Sequence, residues 1–398
     1  MRKKVLSDKP GGNSPSRAGG SAAIHRDRFD NIWRRGYIYQ EVGLDVSGND
    51  QTDLPWIEEL LHPWCDSVSP GCASMSIRLT RSDMLTRTLS KQWARHRGKN
   101  TCFTDLPCIR LDQQTVTLEG WREGNRSVLV DSPAGCFFMV DGSSVELLVP
   151  ASSKHARIIL LSTIREMIIG RLSGLHAIVD LHAAGFCIGG QGVLLAGPRK
   201  AGKTTLLCHA ITSAGADLLA NDRILVHHDE EAYFVSGVPT MASIRKGTLE
   251  LFPQLLAPEE ILGFQAGEGL NGSSELRLPP AKFASRLGAR QLQKAKLRAI
   301  LLPEIISGPE GIILEPLTAE EALLRLKLCR YGVPEHREVS TLFGSLMNGG
   351  NKPVSTEDSM THLVSDVPIY RCQMGINAYD RPMAPVLNKV LGVEAGCP

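Results

Sequence analysis

The sequence predicts an α/β domain preceded by a smaller, mostly β N-terminal domain, and three observations carry that expectation. Between Cys72 and Val149, short β-prone pieces such as Met75 to Leu79, Thr115 to Leu118, Ser127 to Val130 and Val145 to Val149 are separated by Gly, Asp and Pro. That is the punctuation of strands joined by turns. Between Ala156 and Leu172, the apolar residues Ile158, Leu161, Ile164, Met167 and Ile168 recur at helical spacing among Arg157, Arg165, Glu166 and Arg171, which predicts an amphipathic helix. The apolar run Val193 to Ala196 then meets Gly197-Pro198-Arg199-Lys200-Ala201-Gly202-Lys203-Thr204. A helical pattern with Leu206, Leu207 and Ile211 follows and stops at Gly215.

Composition sets the outer bounds. A chain of 398 residues, 42% hydrophobic and 22% charged, can bury a real core, most readily as two domains. A formal charge of +2 is too balanced for a protein whose main partner is nucleic acid or an anionic membrane. The weakly charged run from Val179 to Pro198 holds Asp180, His182 and a Gly189-Gly190 turn, so it reads as two short buried strands and not as a membrane span. Met1-Arg2-Lys3-Lys4 is followed by Ser7-Asp8-Lys9-Pro10 where a secretory signal needs an apolar stretch. The ten cysteines include no C-x-x-C pair, which fits reduced thiols and a cytoplasmic location. The expected organisation is a Gly- and Ser-rich tail over 1–25, a β-rich domain over 26–150, an α/β domain over 151–345 and a C-terminal extension over 346–398.

The chemistry concentrates at Gly197 to Thr204, which matches the P-loop pattern G-x-x-x-x-G-K-[ST] in the strand-to-helix setting that the pattern requires. There the backbone N–H groups of Gly197, Pro198, Arg199, Lys200, Ala201, Gly202, Lys203, Thr204 and Thr205, where present, would wrap phosphates at a helix N-terminus. Lys203 would reach the β- and γ-phosphates of a bound nucleotide, and the Thr204 hydroxyl would hold Mg²⁺. Leu218-Leu219-Ala220 reads as a strand ending at Asn221-Asp222, expected beside the P-loop strand, where Asp222 would be a second Mg²⁺ ligand. His182 lies upstream on a strand expected to run antiparallel to the one feeding the loop; from spacing alone it is a core histidine or a site residue.

Taken in order, L-H-A-A, the Gly-Gly-x-Gly run, the P-loop, its helix and L-x-A-N-D-R resemble the catalytic domain of HPr kinase/phosphorylase and the wider set of HPr-kinase-related proteins. The likeness is strong from Leu181 to Val226 and fainter over the rest of 150–345. It implies a phosphoenolpyruvate-carboxykinase-like P-loop fold, ATP and Mg²⁺ as cofactors, and phosphoryl transfer to a serine or threonine hydroxyl of a peptide or protein. It also implies active-site roles for His182, Lys203 and Asp222.

Two positions depart from the family pattern. Asn221 stands where the family has the aspartate that accepts the serine proton, and an amide is no general base. The later acidic L-E-V-R-G stretch has no counterpart; the nearest segment, Val235 to Arg245, offers Arg245 but no acid. HPr itself is therefore not the expected acceptor, and a ribosomally made peptide is the kind of target that such divergent members suggest. A catalytically weakened nucleotide-binding regulator or scaffold, or a small-molecule kinase, are the alternatives, and homo-oligomerisation is left open.

Other features read as ordinary structure. The basic stretch Met84 to Lys99 is expected to be a solvated helix face, and His227-His228-Asp229-Glu230-Glu231 a charged hairpin turn. Lys282, Arg286, Arg290, Lys294, Lys296 and Arg298 are expected to be mostly surface charge. No N-K-x-D guanine-recognition motif follows the P-loop, which disfavours a classical GTPase.

Overall fold

Buried aromatic and aliphatic residues from Trp33 onward, among them Tyr37, Tyr39 and Leu44, build the first of two nine-stranded sheets. The computed structural model describes residues 32–62, 64–71, 73–98, 102–109, 115–132, 135–229, 231–257, 275–331 and 356–392, with the backbone alone for 102–109 and 115–118. The expected tail over 1–25, Lys99, Glu230 and the Gly- and Pro-containing stretch at 349–353 lie outside the described residues.

The first sheet comprises β1 (Trp33–Tyr39), β2 (Val42–Gly48), β3 (Asp66–Val68), β4 (Met75–Arg81), β5 (Cys102–Ile109), β6 (Thr115–Glu123), β7 (Arg126–Asp131), β8 (Cys136–Asp141) and β9 (Ser144–Val149). Its order is β3-β1-β2-β4-β9-β8-β7-β6-β5, antiparallel except where β4 runs parallel to β2 and β9. Strands thus begin well before the β-prone run expected from Cys72. Helix α1 (Leu54–Leu61) and helix α3 (Ala156–Leu175) bury Ile57, Leu60, Ile164 and Met167 against the sheet residues Tyr37, Leu44, Ile77 and Leu147. Helix α2 (Asp83–His96) buries Thr86, Leu89 and Trp93 and leaves Arg87, Lys91 and Arg95 exposed, the solvated basic face expected of it.

Helix α3 departs from the expected amphipathic form. Its buried residues include Leu160, Leu161, Thr163, Ile164, Glu166, Met167, Ile168 and Ile169, so it is covered on nearly every side. Charge at Glu166 sits inside because a partner arginine meets it, as described below.

The second sheet comprises β10 (Ile178–Leu181), β11 (Ala183–Ile188), β12 (Gln191–Ala196), β13 (Asp217–Ala220), β14 (Ile224–His228), β15 (Tyr233–Gly237), β18 (Lys294–Glu310), β19 (Ile312–Pro316) and β20 (Ile369–Ile376). The path is β10-β14-β15-β18-β12-β11-β13, with β20 on β18 and β19 on β20. The stretch expected as two strands forms three, because the chain turns at His182 between β10 and β11. A parallel trio of β12, β18 and β20 forms the centre, and β12 is buried from Gly192 to Ala196, as a strand covered on both faces must be. Strand β20 belongs to residues expected as a separate C-terminal extension; the structure lays it parallel to β18, from Ile300 opposite Ile369 onward.

Helices cover both faces of this sheet. One face buries Phe186, Val193, Leu195 and Leu301 with helix α4 (Lys203–Ala214), helix α5 (Lys246–Leu251), helix α6 (Pro280–Leu287) and helix α9 (Ala384–Leu391). The other buries Leu194, Ala196, Ile300 and Leu302 with helix α7 (Ala319–Lys327) and helix α8 (Thr356–Asp366). A small two-stranded sheet pairs β16 (Ala242–Arg245) with β17 (Glu275–Leu278). The chain is thus a mixed α/β protein, and none of its described helices is long and apolar enough to cross a membrane.

The two sheets meet at Gly237. Tyr39 Oη donates to Gly237 O at 2.8 Å, and Gln40 Nε2 donates to Ser236 Oγ at 2.8 Å. A Cβ on Gly237 would stand 2.4 Å from both Leu219 O and Trp64 Nε1, a backbone atom and a fully buried ring that cannot move aside. Gly237→Ala is accordingly expected to lower unfolding stability by about 1–3 kcal/mol, the usual cost of overpacking, as measured by urea unfolding.

Candidate active site

The turn from β12 into α4 is shaped by two left-handed residues. Lys200 has φ +70° and Gly202 φ +94°, and Gly202 is the residue that precedes the first turn of α4. Glycine is favoured there by its φ, and a Cβ would stand 2.6 Å from the terminal methyl of Met374 on β20, a flexible end that would have to shift. With glycine at this position no side chain caps the helix, so the amides of Lys203, Thr204 and Thr205 form an uncapped positive end. Gly197 lies close under the loop, where a Cβ would sit 3.2 Å from that of Ala201. Pro198, Arg199 and Lys200 form its exposed crest.

Lys203 is folded back into this turn. Its Nζ donates to Gly197 O at 2.7 Å and to Pro198 O at 3.0 Å, and the residue is 7% exposed. Burial brings its pKa down to about 8, an effect that Asp222 partly opposes and that Arg199 and Arg245 reinforce. Thr204 is half-buried beside it, while the Thr205 hydroxyl is engaged with Thr248 Oγ1 of α5 at 2.8 Å.

Asp222 arrives from a different direction than expected. Its strand β13 pairs with β11, so it is one strand removed from β12. The β11–β12 hairpin nevertheless keeps Asp222 within electrostatic reach of Lys203. His182, at the bend between β10 and β11, places Nε2 3.2 Å from Asp222 Oδ1. Desolvation raises the Asp222 pKa, but His182, Arg165 and Lys203 outweigh it and hold the carboxyl below its usual range. The side chain remains 41% exposed, an anion open to solvent. The structure thus brings His182 and Asp222 into contact, with Lys203 within electrostatic reach of the pair. Asn221 is half-buried, and its Oδ1 has no hydrogen-bond partner among the described residues.

The structure supplies an acid that the sequence reading lacked. Glu275 on β17 accepts from Ser243 Oγ at 2.7 Å and from Arg245 Nε at 3.2 Å, so the Arg245 segment carries a carboxylate borrowed from a strand distant in the chain. No local spacing signals that pairing. The remaining basic residues behave as expected: Arg290 pairs with Asp217, Arg286 donates to Leu255 O, and Lys294 lies over the Phe234 ring. His227 and His228 are the last residues of β14, opposite Phe234 and Tyr233 of β15, and beyond them Asp229 accepts from the Glu231 and Ala232 amides. A cleft of about 710 Å³ opens elsewhere, between the end of α1 and α6, lined in part by His62, Asp66, Ser285 and Gln291. It contains none of the predicted site residues.

The lysine has a thermodynamic signature. Its pKa falls from 10.5 to about 8 on folding, so between those values the unfolded chain holds more protons and stability rises with pH. The burial cost is present in full below about pH 8 and disappears as pH approaches the unfolded value. Relative to Lys203→Met, the wild type is therefore expected to gain stability between about pH 7.5 and pH 10, read from paired urea titrations; a constant difference would contradict the buried-amine geometry.

No family model matches the sequence, and no curated protein matches it either. Among solved structures, the HPr(Ser) kinase/phosphatase from Coxiella burnetii is a loose likeness, with a TM-score of 0.23 and 12% identity, covering 54% of this chain and 93% of that one.

Proposed function

We propose that this chain is a phosphotransferase with an ATP-binding P-loop, moving the γ-phosphoryl group to a serine or threonine hydroxyl of a peptide or protein in the manner of the HPr-kinase-like enzymes. The observation that carries the proposal is the uncapped, left-handed turn at 197–205, with Lys203 folded into it and the His182–Asp222 pair within electrostatic reach of that lysine. The proposed α/β domain over 151–345, of phosphoenolpyruvate-carboxykinase-like type, would hold the nucleotide, with β20 completing its sheet. The free thiols of the described cysteines favour a reducing, cytoplasmic setting.

Each residue has a physical task in this reading. The amides at the start of α4 and the Lys203 ammonium would receive the β- and γ-phosphates, replacing the loop carbonyls that Lys203 now contacts. His182, with Nε2–H donating to Asp222, presents Nδ1 as the acceptor of the hydroxyl proton. The acceptor oxygen forms a bond to the γ-phosphorus as the bond to the β-phosphate oxygen breaks, and ADP leaves. Spread negative charge in this step is what Lys203 and the amide dipoles stabilise.

Mg²⁺ fits the donor set in one particular way. Among the described residues no three His, Cys, Asp or Glu side chains cluster, so there is no all-protein cage. One anionic carboxylate at Asp222 and the Thr204 hydroxyl suit a cation that keeps several waters and is carried by the triphosphate. When bound, it supplies charge neutralisation at the transferring phosphoryl group.

Asn221 favours a second reading, a nucleotide-binding regulator or scaffold with weak or absent transfer. Incubation with γ-labelled ATP, Mg²⁺ and desalted host lysate separates the two. A labelled acceptor is expected with the wild type and none with Lys203→Ala, whose ATP affinity should fall at least about tenfold through loss of a charge-assisted hydrogen bond. Label raised by Asn221→Asp would identify a weakened kinase. Lys203-dependent ATP binding with no label in either protein would favour the regulator.

A further inference from the structure

Arg223 follows Asp222 directly, is 1% exposed, and has none of the tasks assigned above. Its Nε donates to Asp180 Oδ1 at 2.9 Å and its Nη1 to Glu166 Oε1 at 2.6 Å. The guanidinium carbon lies 4.4 Å from the centre of the Tyr331 ring. Strand β10 runs antiparallel to β14 with Asp180 opposite Leu225 and Leu181 opposite Ile224, so His182, just past β10, and Asp222-Arg223, just before β14, stand at the same end of the pair. Two cross-links therefore stand side by side, Asp180–Arg223 in the interior and His182–Asp222 toward solvent.

One short strap of chain touches both. Cys329 O accepts from the His182 amide at 2.7 Å, the Tyr331 amide donates to Asp180 O at 3.0 Å, and the Tyr331 ring lies 5.9 Å from that of His182. The charges balance within the cluster, with Arg223 and Arg165 facing Glu166 and Asp180. A guanidinium sealed in this way cannot shift without stranding two carboxylates.

We infer that Arg223 is a positioning residue: anchored from behind, it fixes the chain at residue 222 and thereby the aim of the Asp222 carboxylate, setting the metal-dependent part of triphosphate binding without touching the nucleotide. The inference rests on the phosphotransferase reading above. An aspartate at the end of a four-residue strand would otherwise lose conformational freedom on every binding event, and Arg223 removes that loss in advance.

The test is ATP titration of the full chain, first with EDTA and then with Mg²⁺, for the wild type, Arg223→Lys and Tyr331→Leu. Lysine keeps the charge but loses the two-pronged contact. Binding in EDTA, which the 197–205 turn supplies, should stay within about twofold, while the gain from Mg²⁺ should shrink about tenfold in Arg223→Lys, as for other residues that orient metal ligands. In Tyr331→Leu the gain should shrink about threefold. A variant that keeps the full Mg²⁺ gain, or that loses binding equally in both media, overturns the inference. If Arg223→Lys fails to fold, Tyr331→Leu decides, since it leaves both carboxylates paired. A wild type without Lys203-dependent ATP binding would instead overturn the phosphotransferase reading, and this inference with it.

Discussion

A guanidinium closed off from water must find its counter-charges where it sits, and at Arg223 they come from distant parts of the chain. Glu166 is on α3, Asp180 on β10, and Arg223 just beyond β13. Breaking such a buried set from one side typically costs about 3–5 kcal/mol, so the three segments are bound to a common position. Helix α3 is held in the same manner near its start, where Arg157 and Arg81 both reach the buried Asp53 carboxylate at 2.8 Å. One helix therefore carries two ionic anchors, one into the first sheet and one into the site at the edge of the second.

Lys203 poses the opposite problem. Its amine is buried with no carboxylate in contact among the described residues, and two loop carbonyls serve as its partners. Carbonyl oxygens are weaker partners for an ammonium than charged oxygens, which leaves the lysine in a site better suited to an anion than to its present neighbours. Gly202 supplies the left-handed conformation at this turn and leaves the start of α4 without a side-chain cap.

The sequence was most readable where structure is local. The strand, glycine turn and helix from Val193 to Gly215 depend on residues within a few positions of one another, and they stand as their pattern predicts. His182 and Asp222 were also legible as candidates, but the neighbour of β13 was not, since pairing partners across a sheet leave no trace in spacing. Helix α3 was misread because a periodic charge looks the same whether it faces water or a buried arginine; Glu166 is the second case. Strands β1 and β2 were missed since the adjacent pair Arg34-Arg35 interrupts the expected alternation. Glu275 was invisible for a further reason: it joins Arg245 only through the pairing of β16 with β17.

Strand β20 gives the molecule a direction in time. It lies beside β18 and presses Met374 against Gly202, yet the ribosome makes it long after the loop it supports. At ~5–20 residues per second, the nascent chain carries an unsupported loop and an open central sheet edge for on the order of ten seconds. From the completion of β18 at Glu310 until β20 is made, the exposed edge of β18 is a template for pairing with any other strand nearby, including the same strand of a neighbouring nascent chain. The reading frame must therefore run past Ile376 before the central sheet is complete, so a chain that stops short of β20 lacks a strand of its core and not an accessory tail.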